Sequence, residues 1–218
     1  MKKLFIVVCA LSFFLFYAHA KEHKKSLLEG LVMVLDAGHG GLDQGANCVE
    51  GSEAEINLKI VKKLQTYLQQ YGAKVILTRD GDYDLASKHA TNRKKEDLNQ
   101  RMKLIQDNNA DLLISIHANS FASSSVSGIQ LFYQENNEMS QKLCKTMHQH
   151  LQKVNERVLK DKVGDYFVLK KSGTPSVLVE CGFLSNAKDR ELLFQEDYQD
   201  KIANQICKAI VSFFSFLD

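Results

Sequence analysis

Val32-Met-Val-Leu-Asp36-Ala-Gly-His39-Gly-Gly41 changes character halfway along. An aliphatic run, as in a buried strand, stops at Asp36, and a glycine-rich turn then presents one imidazole. Gly38, Gly40 and Gly41 leave His39 uncrowded and permit backbone angles that other residues resist. A histidine in a turn is not a site by itself, but two further stretches repeat the design. Asp111-Leu-Leu-Ile-Ser-Ile-His117-Ala-Asn119 is an aliphatic run ending in a histidine. Pro175-Ser-Val-Leu-Val-Glu180-Cys-Gly182-Phe is another, ending in a glutamate.

Buried strands of this kind, each with a polar group at its C-terminal end, read as an open α/β sheet whose chemistry lies along that edge. The intervening chain supports this. Ser52-Glu-Ala-Glu55 reads as a capping box, with Ser52 as N-cap and Glu55 three residues on. Ile56, Ile60, Leu64 and Leu68 form one helical stripe that ends at Tyr71-Gly72. Residues 73–80 are a second strand, so strand, helix and strand form a parallel βαβ unit. Glu53 in the first helical turn can point back toward His39, or it can simply favour the helix dipole; Glu50 and Glu55 are rivals by type. Residues 81–97, with His89 and Arg93-Lys-Lys95, read as a charged surface loop, and residues 98–108 as a helix with Met102 and Ile105 inward. A strand at 128–133, a helix over 138–157, an edge strand at 165–170 near the site and a largely helical segment over 186–217 complete the chain. His148 and His150 are two apart on their helix, face different sides and belong to the surface. Arg79 and Arg101 either grip a substrate carboxylate or form structural salt bridges.

Residues 1–20 have the form of a secretory signal: Lys2 and Lys3, an apolar core, then Ala18-His-Ala20. The apolar run is short against the ~20 residues of a membrane span, although left uncut it would tie the chain to the membrane. Residues 21–30 read as a polar lead-in and 31–218 as a single catalytic domain. Lys2 and Lys3 carry the whole formal surplus of +2, so the remainder is neutral, with no basic tract for nucleic acid. The composition, 44% hydrophobic and 25% charged, is ordinary for a globular chain and shows no repeat or targeting module. Cys48, Cys144, Cys181 and Cys207 match no disulfide framework and no C-x-x-C, so they read as free thiols.

Two histidines and a carboxylate at one sheet edge suit zinc. A catalytic zinc takes three protein ligands, and water at its open position is acidified to a pKa of about 7. A nearby carboxylate then serves as general base. His39, His117, Glu53 and Glu180 supply such a set, and chemistry alone leaves open which glutamate binds metal. There is no H-E-x-x-H, no G-x-S-x-G and no P-loop.

Asp36-Ala-Gly-His-Gly-Gly41, Glu53 with Asn57-Leu58, Ser115-Ile-His-Ala-Asn119 and Val177-Leu-Val-Glu-Cys-Gly-Phe-Leu-Ser-Asn186 together resemble the zinc-dependent N-acetylmuramoyl-L-alanine amidases. The resemblance implies a three-layer α/β/α sandwich with a mixed, mainly parallel twisted sheet. It makes His39, Glu53 and His117 the ligands of one Zn2+ and Glu180 the catalytic base; Asn119, Arg79 and Arg101 are substrate-binding candidates. Ala54, where the family often has Lys, and Cys181 depart from the pattern without removing a catalytic group. The implied reaction is hydrolysis of the amide between N-acetylmuramic acid and L-alanine in peptidoglycan. The short form and residues 94–101 most resemble the family's sporulation amidases, which implies a cortex role ahead of muramic δ-lactam formation and germination. Peptidoglycan is then the partner, in the cell wall or the forespore intermembrane space. No long helix between the His117 and Glu180 strands plugs the site, so its activity is expected to depend on metal occupancy or an accessory activator protein. A stem-peptide zinc peptidase and a peptidoglycan-binding pseudoenzyme are the competing readings.

Overall fold

The computed structural model describes residues 26–216; the signal-like segment 1–20 lies outside them. A six-stranded sheet runs in the order β4(Lys74–Leu77), β1(Val32–Ala37), β5(Leu112–Asn119), β8(Ser176–Phe183), β6(Gln130–Tyr133), β7(Lys162–Val163). β4, β1, β5 and β8 are mutually parallel, β6 pairs antiparallel with β8, and β7 parallel with β6. This is the mixed, mainly parallel sheet expected.

Side chains alternate between the two faces of a strand, and here the alternation sorts core from site. Met33, Leu35, Leu112, Ile114, Ile116, Val177 and Val179 face one way, into the larger core. That core is covered by α1(Glu53–Gln70), α3(Glu138–Leu151) and α6(Glu196–Ser215). Val34, Leu113 and Leu178 face the other way, into a smaller cluster with Met102 and Ile105 of α2(Arg93–Asp107) and Val168 and Leu169 of α4(Phe167–Lys171). Asp36, Ser115, His117 and Glu180 share the parity of this second face. Its thinner helical cover leaves the C-terminal edge of the sheet open.

α1 starts as expected: the Ser52 hydroxyl accepts from Glu55 N at 3.3 Å. The reciprocal arm of the box is absent, because the Glu55 carboxylate takes Lys59 Nζ at 2.6 Å instead. Ile56, Ile60, Leu64 and Leu68 are fully buried. The expected loop 42–52 includes a small hairpin, β2(Asn47–Cys48) with β3(Gly51–Ser52).

Several boundaries differ from expectation. α2 begins at Arg93, not residue 98, because Asn92 caps Lys95 N and Asp84 grips the Arg93 guanidinium at 2.8 Å. The supposed edge strand at 165–170 is instead the short helix α4, while β7 is two residues placed just before it. Val168 and Leu169 are both buried; consecutive inward residues suit a helical turn, whereas a strand would turn one of them outward. α3 stops at Leu151 rather than 157, and the C-terminal segment breaks into α5(Ala187–Leu193) and α6. No helix of the described residues is long and apolar enough to cross a membrane.

Candidate metal centre and active site

His39 leaves β1 with a left-handed backbone (φ +63°), which turns its ring back over the sheet edge. His117 projects from β5, and Glu53 is the first residue of α1. His39 Nε2 and His117 Nδ1 lie 3.1 and 2.9 Å from the same oxygen, Glu53 Oε1. One ligand atom from each residue lies within 4.8 Å of the others, so the three could hold a metal ion. Glu53 Oε2 accepts from Ala46 N at 3.0 Å, which aims the other oxygen at the imidazoles. Burial pushes the Glu53 carboxyl up, but hydrogen bonds from His117 and His39 and their charges hold it well below the usual carboxylate range. A cationic ion would find an ionised carboxylate and two imidazole nitrogens, the donor set zinc prefers.

The rivals are committed elsewhere: Glu50 pairs with Arg190 and Glu55 with Lys59. Asp43, which sequence reasoning missed, places Oδ1 3.0 Å from His39 Nδ1. Metal-bound histidines commonly face such a carboxylate on their second nitrogen, which fixes the tautomer. A residue four places along an irregular turn carries no periodic signal that could have marked it.

Two glycines make room for the cluster. A Cβ on Gly38 would lie 2.2 Å from the His117 ring, and one on Gly45 (φ +64°) 2.4 Å from Glu53 Oε2. Gly45→Ala is therefore expected to weaken metal binding about 10- to 100-fold, read by competition with a chelator. Unchanged affinity would show that Glu53 is not a ligand.

Glu180 is the β-register partner of His117 on the adjacent strand and lines the same cavity of about 480 Å3. It is 5% exposed, and its Oε2 has no hydrogen-bond partner. Burial raises its carboxyl to about 7, with the Glu53 charge adding to the rise and the His117 and His39 charges opposing it. Asn119 at the end of β5 also lines the cavity.

Arg79 and Arg101 were offered either to a substrate or to the structure, and their geometry is structural. Arg79 donates to the carbonyls of Ala37, Gly38, Ala54 and Gly81. Arg101 donates to Asp36, Asp97 and the carbonyls of Ala37 and His39. Both are almost completely buried. They brace the backbone that carries His39 and Glu53, which corrects their candidacy as a substrate clamp. His148 faces Asp161 and His150 faces Gln205, away from the cluster.

Comparison with known proteins agrees with this geometry. The profile of the N-acetylmuramoyl-L-alanine amidases matches residues 33–212. The chain is 38% identical over 193 residues to the germination-specific N-acetylmuramoyl-L-alanine amidase of Bacillus subtilis, covering 86% of this chain and 81% of that one. It is similar to the Clostridioides difficile CwlD amidase, solved in complex with the GerS lipoprotein, with TM-score 0.80 and 40% identity over 85% of this chain and 99% of that one. The catalytic domain of CwlV from Bacillus (Paenibacillus) polymyxa gives TM-score 0.74 at 32% identity, covering 85% and 98%. Sequence motifs, sheet topology and the profile match converge: the chain belongs to the N-acetylmuramoyl-L-alanine amidase family.

Proposed function

We propose that the chain hydrolyses the amide joining the lactyl group of N-acetylmuramic acid to L-alanine, with one zinc ion held by His39, Glu53 and His117 and with Glu180 as proton carrier. One observation carries the reading: the unpaired Glu180 carboxyl and the His39–Glu53–His117 cluster open into one cavity. Zinc bound there supplies Lewis acidity for the amide carbonyl and brings the pKa of water at the site to about 7. Glu180, buried in the same cavity with an unpaired Oε2, accepts the proton of the attacking water and passes it to the amide nitrogen. The peptide then leaves with a free L-alanine amine, and the lactyl group becomes a carboxylate. Asp43 lies beside the His39 ring, and Arg79 and Arg101 hold the turn beneath it.

The substrate is spore-cortex peptidoglycan, where stripping stem peptides prepares muramic acid for δ-lactam formation. Similarity to a germination-specific amidase supports this role. It also supports a location outside the cytoplasmic membrane, in the forespore intermembrane space or the wall. The relative solved with a lipoprotein supports an accessory protein partner for this chain too. Zinc content and product analysis on cortex glycan test the reading together. The expected result is about one zinc per chain and released peptides with free N-terminal L-alanine. Cleavage between amino acids of the stem would make the enzyme a peptidase, and bound zinc with no amide cut under any condition would remove the amidase assignment.

A further inference from the structure

Asn57 is fully buried on α1, one turn beyond Glu53 and on the same face of the helix. Its Nδ2 donates to the Gly38 carbonyl at 3.2 Å, while its Oδ1 has no hydrogen-bond partner. Stability does not account for such an amide, because a buried acceptor left unpaired costs at least as much as one hydrogen bond contributes. The Gly38 carbonyl does not need the bond either, since Arg79 Nη2 reaches it at 3.0 Å. What the bond does is join the supports of the metal ligands. Gly38 precedes His39, its N–H donates to the carbonyl of Ile116 beside His117, and the space where its side chain would stand is filled by the His117 ring. Glu53 heads the helix that carries Asn57. A single carbonyl thus links α1 to the two strands that present the histidines.

We propose that Asn57 is a positioning residue for the metal centre, fixing α1 against the Gly38–His39 turn so that the Glu53 carboxylate meets both imidazoles. The inference rests on the reading of His39, Glu53 and His117 as the ligands of one zinc ion. Glu53 Oε1 stands 3.1 Å from His39 Nε2 and 2.9 Å from His117 Nδ1, and any slide of α1 along the sheet changes both distances. Ile56 and Ile60 hold the same helix to the core by apolar packing, which is non-directional. A hydrogen bond to one carbonyl fixes a point of contact. Arg79 supplies a second such point, because its Nη2 also donates to the Ala54 carbonyl at 2.8 Å. Metal affinity and the stability of the metal-free protein should therefore separate when the Asn57 amide is removed. The first loses its alignment, and the second is freed of an orphaned oxygen.

The test pairs Asn57→Leu with Gln199→Met. Gln199 is also buried, donates one bond from Nε2 to the Leu193 carbonyl at 2.8 Å and leaves Oε1 unpaired, but it joins α5 to α6, which carry no ligand. Asn57→Leu is expected to raise the zinc Kd about tenfold, read by competition with a chelator, and to alter the visible spectrum of the cobalt-loaded protein. Its metal-free form is expected to melt at or above the wild type. Gln199→Met is expected to leave the zinc Kd and the cobalt spectrum unchanged. Asn57→Val repeats the measurements with a smaller side chain in case leucine crowds the site. Wild-type zinc affinity in the Asn57 variants, or a loss matched by Gln199→Met, overturns the assignment and leaves the zinc reading intact. So does a failure of both Asn57 variants to fold without metal, or their melting well below the wild type, which would make the amide a determinant of the fold. A wild type that binds no zinc removes the ligand reading and this inference with it.

Discussion

Glu180→Gln is expected to lower turnover by about 10²- to 10⁴-fold while zinc content stays at the wild-type level. The substitution keeps shape and volume in a strand where every residue is buried, so the sheet should be undisturbed. Glu180 is not among the residues that converge as a metal-holding group, so metal content should not follow activity. A binding protein without chemistry would keep its affinity for glycan in this variant and have no rate to lose. A second signature comes from linkage in the metal-free protein. The Glu180 carboxyl is raised from 4.5 to about 7 chiefly by burial. Between those values the folded state holds a proton that the unfolded state has released, so stability falls as pH rises through the window, by about 3 kcal/mol in all. Glutamine has no such dependence. The metal-free variant should therefore melt close to wild type near pH 4 and above it at pH 8. A variant that melts lower than wild type at pH 8 would show that the ionised carboxylate is satisfied in the fold, contrary to its unpartnered Oε2.

The sheet edge was legible because three strands end in polar groups, and the same alternation that buries Leu35, Ile116 and Val179 puts Asp36, His117 and Glu180 on one face. Which face a strand turns to which helix was not legible, since strands buried on both sides lack a polar period. Glu53 could not be separated from Glu50 and Glu55 by chemistry, because all three are carboxylates near a helix start. The family resemblance singled out Glu53, and the three-dimensional partners Arg190 and Lys59 occupy the rivals. The cavity wall was misread for a related reason. Val168-Leu169 is too short an apolar run to carry a period of its own, and its helical form follows from packing against Leu178 and Met102. Arg79 and Arg101 illustrate a different limit: a guanidinium that grips backbone carbonyls leaves no mark in sequence that distinguishes it from one that grips a substrate.

Those carbonyls make the buried Asp36–Arg101 pair the second position where a large effect is expected. Asp36 is 2% exposed and receives three donors: Arg101 Nη1 at 2.6 Å, Ser115 Oγ at 2.6 Å and Thr78 Oγ1 at 2.8 Å. Burial alone would raise its carboxyl. The Arg101 charge and the Ser115 hydrogen bond, with smaller help from His117, outweigh burial and hold it at about 2. Asn in its place offers one acceptor oxygen and turns a donor toward donors. Asp36→Asn also leaves the Arg101 charge buried with Asp97 as its only remaining carboxylate. Breaking one side of such a pair costs about 3–5 kcal/mol, which urea unfolding would measure. The pH dependence has the opposite sign to that of Glu180. A depressed carboxyl stabilises the fold above its unfolded value near 3.8 and loses that contribution as pH falls toward about 2. The wild type should therefore lose about 2 kcal/mol more than Asp36→Asn across that acid window. Arg101→Met carries the effect to the metal centre, because Arg101 Nη2 donates to the His39 carbonyl at 2.7 Å. With His39 in a left-handed backbone, a turn freed from that bond can relax toward ordinary angles and carry the imidazole away from Glu53. Zinc affinity should fall about 10- to 100-fold in whatever fraction of Arg101→Met stays folded. If folded Arg101→Met binds zinc as wild type does, the guanidinium supports the fold alone, and the register of His39 is set by Gly38, Gly40 and Arg79.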